Sequence, residues 1–150
     1  MKIVIQRVLN ASVSIEDKVE GRINGGMMIL VGIEQEDTTE DIEWLTNKLA
    51  NLRIFDDEAG VMNLNVNQVE GEILAISQFT LQASTKKGNR PSYIKAAKPD
   101  VAIPLYEQFI ATLAGVINTP IATGKFGADM KVSLINDGPV TIIIDSKNRI

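Results

Sequence analysis

Met27-Met28-Ile29-Leu30-Val31-Gly32-Ile33 is an unbroken apolar run, with Asn24-Gly25-Gly26 before it and Glu34 after it. A run this short, bounded by turn-forming residues, predicts a strand buried on both faces. The segments around it also read as strands. Ile3-Val4-Ile5-Gln6-Arg7-Val8-Leu9 is β-branched and short, and Ala11-Ser12-Val13-Ser14-Ile15-Glu16 alternates with a period of two. Glu72 to Phe79 is a further strong strand. Leu52-Arg53-Ile54-Phe55 looks extended and ends in the turn-like Asp56-Asp57-Glu58-Ala59-Gly60. Two final strands, Met130 to Ile135 and Val140 to Asp145, are expected on either side of Asn136-Asp137-Gly138-Pro139.

Two helices interrupt this pattern. Ile42, Leu45, Leu49 and Leu52 recur at helical spacing and predict a helix over about Thr38 to Asn51. Asp37 or Thr38 can cap it, and Glu40, Asp41 and Glu43 lie in the first turn, where the helix dipole favours acids. A second helix is expected from near Pro104 to Val116, with Leu105, Phe109, Leu113 and Ile117 along one face. Proline is tolerated in a first turn because its missing N–H has no partner there. No low-complexity tract, long linker or repeat breaks the chain. The expectation is a single mixed α/β domain over residues 1–150, with layered sheets and two main helices.

Composition limits the chemistry. The chain has no histidine and no cysteine. It therefore has no imidazole proton shuttle, thiol nucleophile, disulfide or Cys/His zinc site. Apolar residues make up 45% and charged residues 23%, as in ordinary globular domains. No apolar run approaches the roughly 18 residues that span a bilayer. The first residues carry too short and too interrupted an apolar stretch for a signal peptide, so a cytoplasmic protein is expected. The net charge of −4 hides an uneven distribution. Lys86, Lys87, Arg90, Lys95 and Lys98 fall between Ser84 and Pro99 without an acid among them. Such a segment is either a solvated loop or a patch for a phosphate backbone.

Two short stretches could carry chemistry. Ser77-Gln78-Phe79-Thr80-Leu81 lies where a buried strand gives way to polar chain. It offers the hydroxyls of Ser77 and Thr80, the Gln78 amide, and the N–H groups of Phe79 and Thr80, which could face an oxyanion. Strand-end capping by small polar residues is the plainer alternative. Asn136-Asp137-Gly138-Pro139-Val140-Thr141 suits a hairpin turn. It also suits a cis Gly-Pro unit, whose two carbonyl oxygens point nearly the same way. Arg7 interrupts an apolar strand on the face of Ile3, Ile5 and Leu9, and its five donors need carbonyl or carboxylate partners. Asp56, Asp57 and Glu58 fit an exposed turn better than a metal site.

Taken together, these segments resemble the D-aminoacyl-tRNA deacylase family, also called D-tyrosyl-tRNA deacylases. The resemblance covers essentially the whole chain. It rests on Gln6-Arg7-Val8, Asn51-Leu52-Arg53-Ile54-Phe55, Ser77-Gln78-Phe79-Thr80-Leu81, Gly88-Asn89-Arg90-Pro91-Ser92, Phe126-Gly127-Ala128-Asp129-Met130 and Asn136 to Thr141. It implies a barrel-like β/β/α fold and a cytoplasmic homodimer. The implied reaction cleaves the ester between a D-amino acid, or glycine, and the terminal adenosine of tRNA, with neither cofactor nor metal. Ser77, Gln78, Phe79 and Thr80 would line the catalytic pocket, with Phe126 and Met130 among the substrate-binding residues. Gly138 and Pro139, as a cis dipeptide, would enter the partner subunit's pocket, held by Arg7. Lys86, Lys87 and Arg90 would contact the tRNA. Lack of histidine favours assistance by the tRNA 2′-hydroxyl over Thr80 as a nucleophile.

Overall fold

Side chains alternate across a strand, so a strand covered on both faces must serve two cores. The computed structural model describes residues 1–150. In chain order it contains β1 (Lys2–Ile15), β2 (Lys18–Ile23), β3 (Gly26–Gly32), α1 (Thr39–Asn51), β4 (Phe55–Asp56), β5 (Met62–Leu64), β6 (Glu72–Ser77), a 3-10 turn (Phe79–Gln82), α2 (Pro99–Val116), β7 (Ile121–Thr123) and β8 (Lys131–Asp145). The apolar run Met27 to Ile33 forms β3, which lies antiparallel to β1 on one side and parallel to β6 on the other. From β3, Met27, Ile29 and Val31 face the helices, together with Ile73 and Ala75 of β6 and Ile42, Leu45, Phe109 and Leu113. Met28 and Leu30 face the opposite way, toward Val8, Ala11, Val13, Ile23, Leu74 and Ile76.

The main sheet has the order β2-β1-β3-β6-β7, and β8 pairs with the free edge of β1. Lys2–Val8 of β1 pair with β3, whereas Ala11–Ile15 pair with β2. The sheet curls until β2 meets β7. A β-carbon on Gly21 would lie 2.8 Å from the Thr123 carbonyl oxygen, so the strands touch there without a side chain between them. The result is a mixed α/β fold with a nearly closed, barrel-like sheet and two helices on its outer face. Each of the larger side chains in the two cores contributes roughly 1.5–3 kcal/mol through burial.

β1 passes from one core to the other. Ile3, Ile5 and Arg7 are buried on the helix side, but Val8, Ala11 and Val13 are buried inside the barrel. The change of face follows from a bulge. Val8 pairs with Asn136 and Asn10 with Ile135, leaving Leu9 unpaired and exposed. Leu9 therefore does not share the buried face of Arg7.

Three boundaries differ from the sequence expectations. The cap of α1 is not one of them: of the two expected caps it is Thr38, whose N–H Asp41 accepts at 2.9 Å. The second helix starts at Pro99, not near Pro104. Pro99 takes the first helical position and Pro104 sits inside, while the Val101 and Ala102 N–H groups bond to the Lys98 carbonyl. β6 ends at Ser77, and Phe79 belongs to the 3-10 turn. Most importantly, the two expected C-terminal strands are one. β8 pairs with β1 on both sides of Asp137 to Val140, which protrude from that strand and are not a hairpin.

Candidate active site

Where β6 ends, the chain turns over a cavity of about 250 Å³. Gln78 N–H still bonds to the Val31 carbonyl at 2.8 Å, which fixes the exit direction of the strand. Ser77, Gln78 and Phe79 form one side of the cavity, and Phe126, Asp129 and Met130 form another. Phe79 and Thr80 occupy the first positions of the 3-10 turn, whose N–H groups have no acceptor within that turn. Gln78 Nε2 donates to Thr80 Oγ1 at 2.5 Å. No carboxylate or amine bonds to the Thr80 hydroxyl, so it has no base beside it. Asp129 is the acid in the lining. It is 87% exposed in its side chain and paired with Lys131 at 2.9 Å.

The far wall is set from behind. Tyr106 of α2 donates its hydroxyl to the Ala75 carbonyl at 3.2 Å, and its ring lies 5.9 Å from that of Phe126. Burial pushes the Tyr106 phenol up to about 12, so it remains a neutral donor. Met130 lies over Gly124, where any β-carbon would collide with the Met130 sulfur. Glycine at this position makes room for the methionine. The sequence offered no signal for Tyr106, and the Gly124–Met130 stretch, which lacks phosphate-loop spacing, suggested only that its glycines could let backbone approach a ligand.

Gly138 and Pro139 lie elsewhere. Between the pairs Gln6–Thr141 and Val8–Asn136, Asp137 to Val140 face only Arg7 on β1. The extra residues loop outward, leaving Gly138 and Pro139 exposed, and the bond between them is cis. Gly138 has φ 142°, and a β-carbon there would come within 2.7 Å of a Val140 methyl. Only glycine suits that backbone. Arg7 grips the base of the loop. Its Nε donates to the Asp137 carbonyl at 3.0 Å, its Nη1 to the Ile54 carbonyl at 2.7 Å, and Asp56 accepts from it at 3.3 Å. Arg7 thus holds the residue before Gly138, not the dipeptide itself.

Asn136 has a bracing role that local reading did not assign. Its Nδ2 donates to the Arg7 carbonyl at 3.1 Å and the Val140 carbonyl at 2.9 Å, closing the neck of the loop. The acids after Asp56 serve a turn. The Asp57 carboxylate accepts the N–H of Val61 and then that of Ala59, which hold it below the usual carboxylate range. Lys86, Lys87 and Arg90 are exposed on the loop between Ser84 and Ser92.

The geometry therefore combines a cavity at a strand end with an outward main-chain loop that does not reach it within one chain. The family model for D-Tyr-tRNA(Tyr) deacylase matches residues 4–145. The chain belongs to that family. Among relatives of the deacylase family, the D-aminoacyl-tRNA deacylase of Flavobacterium psychrophilum is 63% identical over 149 residues, spanning 99% of each chain. That of Bacteroides fragilis is 64% identical with the same coverage. A solved structure named c-Myc DNA unwinding element binding protein superposes with a TM-score of 0.92 at 41% identity, covering 97% of this chain and 98% of its own. A probable eukaryotic D-amino acid tRNA deacylase shares the fold, with a TM-score of 0.81 at 17% identity and coverage of 95% and 97%. No helix of the protein is long and apolar enough to cross a membrane.

Proposed function

We propose that the protein hydrolyses the ester joining a D-amino acid to the terminal adenosine of tRNA, as a homodimer that judges handedness with main chain. The single observation that carries this is the separation of the exposed Gly138-Pro139 loop from the Ser77–Phe79 cavity. Each completes the other only across two chains. Exposed Ile135 and Ile143 of β8, with Leu9 of β1, provide apolar surface beside the loop for a second copy.

Mirror-image amino acids carry identical groups, so no single contact can separate them. Gly138 and Pro139 carbonyls would receive the substrate ammonium and occupy the space an L side chain needs. Excluding L substrates ten-thousandfold takes about 5.5 kcal/mol, which a rigid steric clash supplies. A wall of this kind rejects side chains without recognising them. Broad tolerance of D-residues follows, and glycyl-tRNA passes as well, having no side chain to exclude.

In the reaction, water adds to the ester carbonyl carbon and the bond to the ribose oxygen breaks. Phe79 and Thr80 N–H groups would hold the oxyanion. Because the Thr80 hydroxyl is bonded to an amide and not to a base, the neighbouring 2′-hydroxyl of the substrate carries the proton from water to the leaving oxygen. Lys86, Lys87 and Arg90 would bind acceptor phosphates. Such a substrate implies work in the cytoplasm, within a domain spanning residues 1–150.

Turnover of D-tyrosyl-tRNA against its L counterpart tests the reaction. Release from the D form alone is expected, and release from neither refutes it. A 2′-deoxy terminal ribose tests the proton route: turnover should vanish, and undiminished turnover restores Thr80 as the nucleophile.

A further inference from the structure

Tyr93 has no part in the chemistry above, yet it is exposed beside Phe79. The two ring centroids are 5.1 Å apart and the planes meet at 72°, edge to face. Phe79 lines the cavity and Tyr93 does not, so the pair carries aromatic surface outward from the cavity mouth. The backbone that bears Tyr93 is pinned on both sides. Ser84 and Ser92 exchange two backbone hydrogen bonds of 2.8 and 2.9 Å. Farther along, Ala97 N–H bonds to the Ile33 carbonyl at 2.9 Å, and Ala96 bridges to Glu34. An exposed ring on a fixed backbone offers contact area with little ordering left to do.

The charges around it have no partner within the protein. Lys86, Lys87, Arg90, Lys95 and Lys98 all lie on this segment and are exposed. None of them forms an ion pair, although Lys125, Lys131, Lys147, Arg7 and Arg149 all do. Aromatic faces flanked by unpaired cations suit single-stranded nucleic acid, with bases on the rings and phosphates on the cations. We propose that Tyr93, braced edge-on by Phe79, stacks the unpaired nucleobase next to the aminoacylated one, while these cations take the adjoining phosphates. This deepens the hydrolase reading above and rests on it. It makes the single-stranded end of the substrate, and not only its terminal adenosine, part of what the protein holds.

The test compares two substrates, D-tyrosyl-tRNA and D-tyrosyl-adenosine, the second lacking every nucleotide that Tyr93 would meet. Tyr93→Leu should raise KM for the tRNA roughly tenfold at constant kcat, as expected for one lost stack. It should leave hydrolysis of the adenosine ester unchanged, and Tyr93→Phe should behave as the native protein does. An unchanged KM for the tRNA overturns the proposal. So does an equal loss on both substrates, which would make Tyr93 a mere prop for Phe79. A Tyr93→Leu protein whose molar mass in solution changes while KM holds also overturns it, assigning the ring to a protein interface. Failure of the underlying reading looks different, because native protein would then cleave neither ester.

Discussion

Arg7 and Asp137 are joined by a 3.0 Å hydrogen bond from the guanidinium Nε to a main-chain carbonyl, at the one point where a single β1 residue faces four of β8. The arginine is buried, and its Nη1 is met by the Ile54 carbonyl and the Asp56 carboxylate. Arg7 therefore ties the base of the Gly138-Pro139 loop to the Ile54–Asp56 segment, while Asn136 closes its neck.

Arg7→Lys should keep the charge and lose the fork. With the Asp137 and Ile54 carbonyls no longer both satisfied, stability should fall by about 1–3 kcal/mol. Misplacing the loop should lower turnover of D-aminoacyl-tRNA by about a hundredfold. Urea midpoints and single-turnover rates measured on the same preparation check both.

Gly138→Ala puts a β-carbon against Val140 at a φ that L-residues rarely adopt. The sheet should survive, since the loop projects from it, while D-specific turnover drops by about a hundredfold. Native-like circular dichroism with native activity would refute a role for this backbone in the reaction.

Gly124→Ala drives Met130 from its seat toward the cavity. Because that side chain is flexible and half-buried, stability should change little. The effect should fall on large substrates first, raising KM for D-tyrosyl-tRNA more than for D-alanyl-tRNA. An equal change for both would mean that Met130 does not shape the pocket.

Thr80→Val removes the hydroxyl that accepts the Gln78 amide. With proton transfer assigned to the substrate, the variant should retain turnover to within about tenfold, a modest share of what positioned acid–base groups contribute. Complete loss with intact tRNA binding, measured by filter retention, would return the reaction to a covalent route.

Acid stability should depend on Asp41. Burial alone would raise its carboxyl, but hydrogen bonds from Ser146, the Thr38 N–H and Lys147 outweigh that and bring it from 3.8 down to about 2. A depressed carboxylate stabilises the fold above its unfolded value, and that contribution disappears as pH falls from near 4 through 2. Asp37, raised by burial against the pull of the Met1 ammonium, acts in the opposite sense. Asp41→Asn should flatten the loss of Tm between pH 4 and 2.

Much of this was legible in the chain because some signals are local. The buried runs of β3 and β6 and the helical spacing of Ile42, Leu45 and Leu49 depend on near neighbours, and the structure has these elements. The start of α2 was not legible, because Pro99 and Pro104 each suit a first turn and only contacts with Lys98 decide between them. The continuity of β8 was hidden for a stronger reason. Asn136-Asp137-Gly138-Pro139 has good turn chemistry, but pairing with β1 on both sides overrides it and leaves a loop projecting from one long strand. Within the candidate site, the Ser77–Thr80 stretch could be placed at a strand end from the sequence. The bridging amide of Asn136, the space under Met130 and the exposed edge of Tyr93 depend on residues far apart in the chain, which no local pattern reveals.

The place where β1 passes from one core to the other has a consequence for accuracy. The Gly138-Pro139 loop grows from that crossing, so it cannot wander without slipping a ladder that both cores hold in register. The amide hydrogen of Val8, in the ladder beneath the loop, should exchange with solvent only as fast as the whole molecule opens. A stereochemical filter anchored in this way should stay faithful up to the temperature at which the protein melts, then fail all at once instead of becoming gradually more permissive.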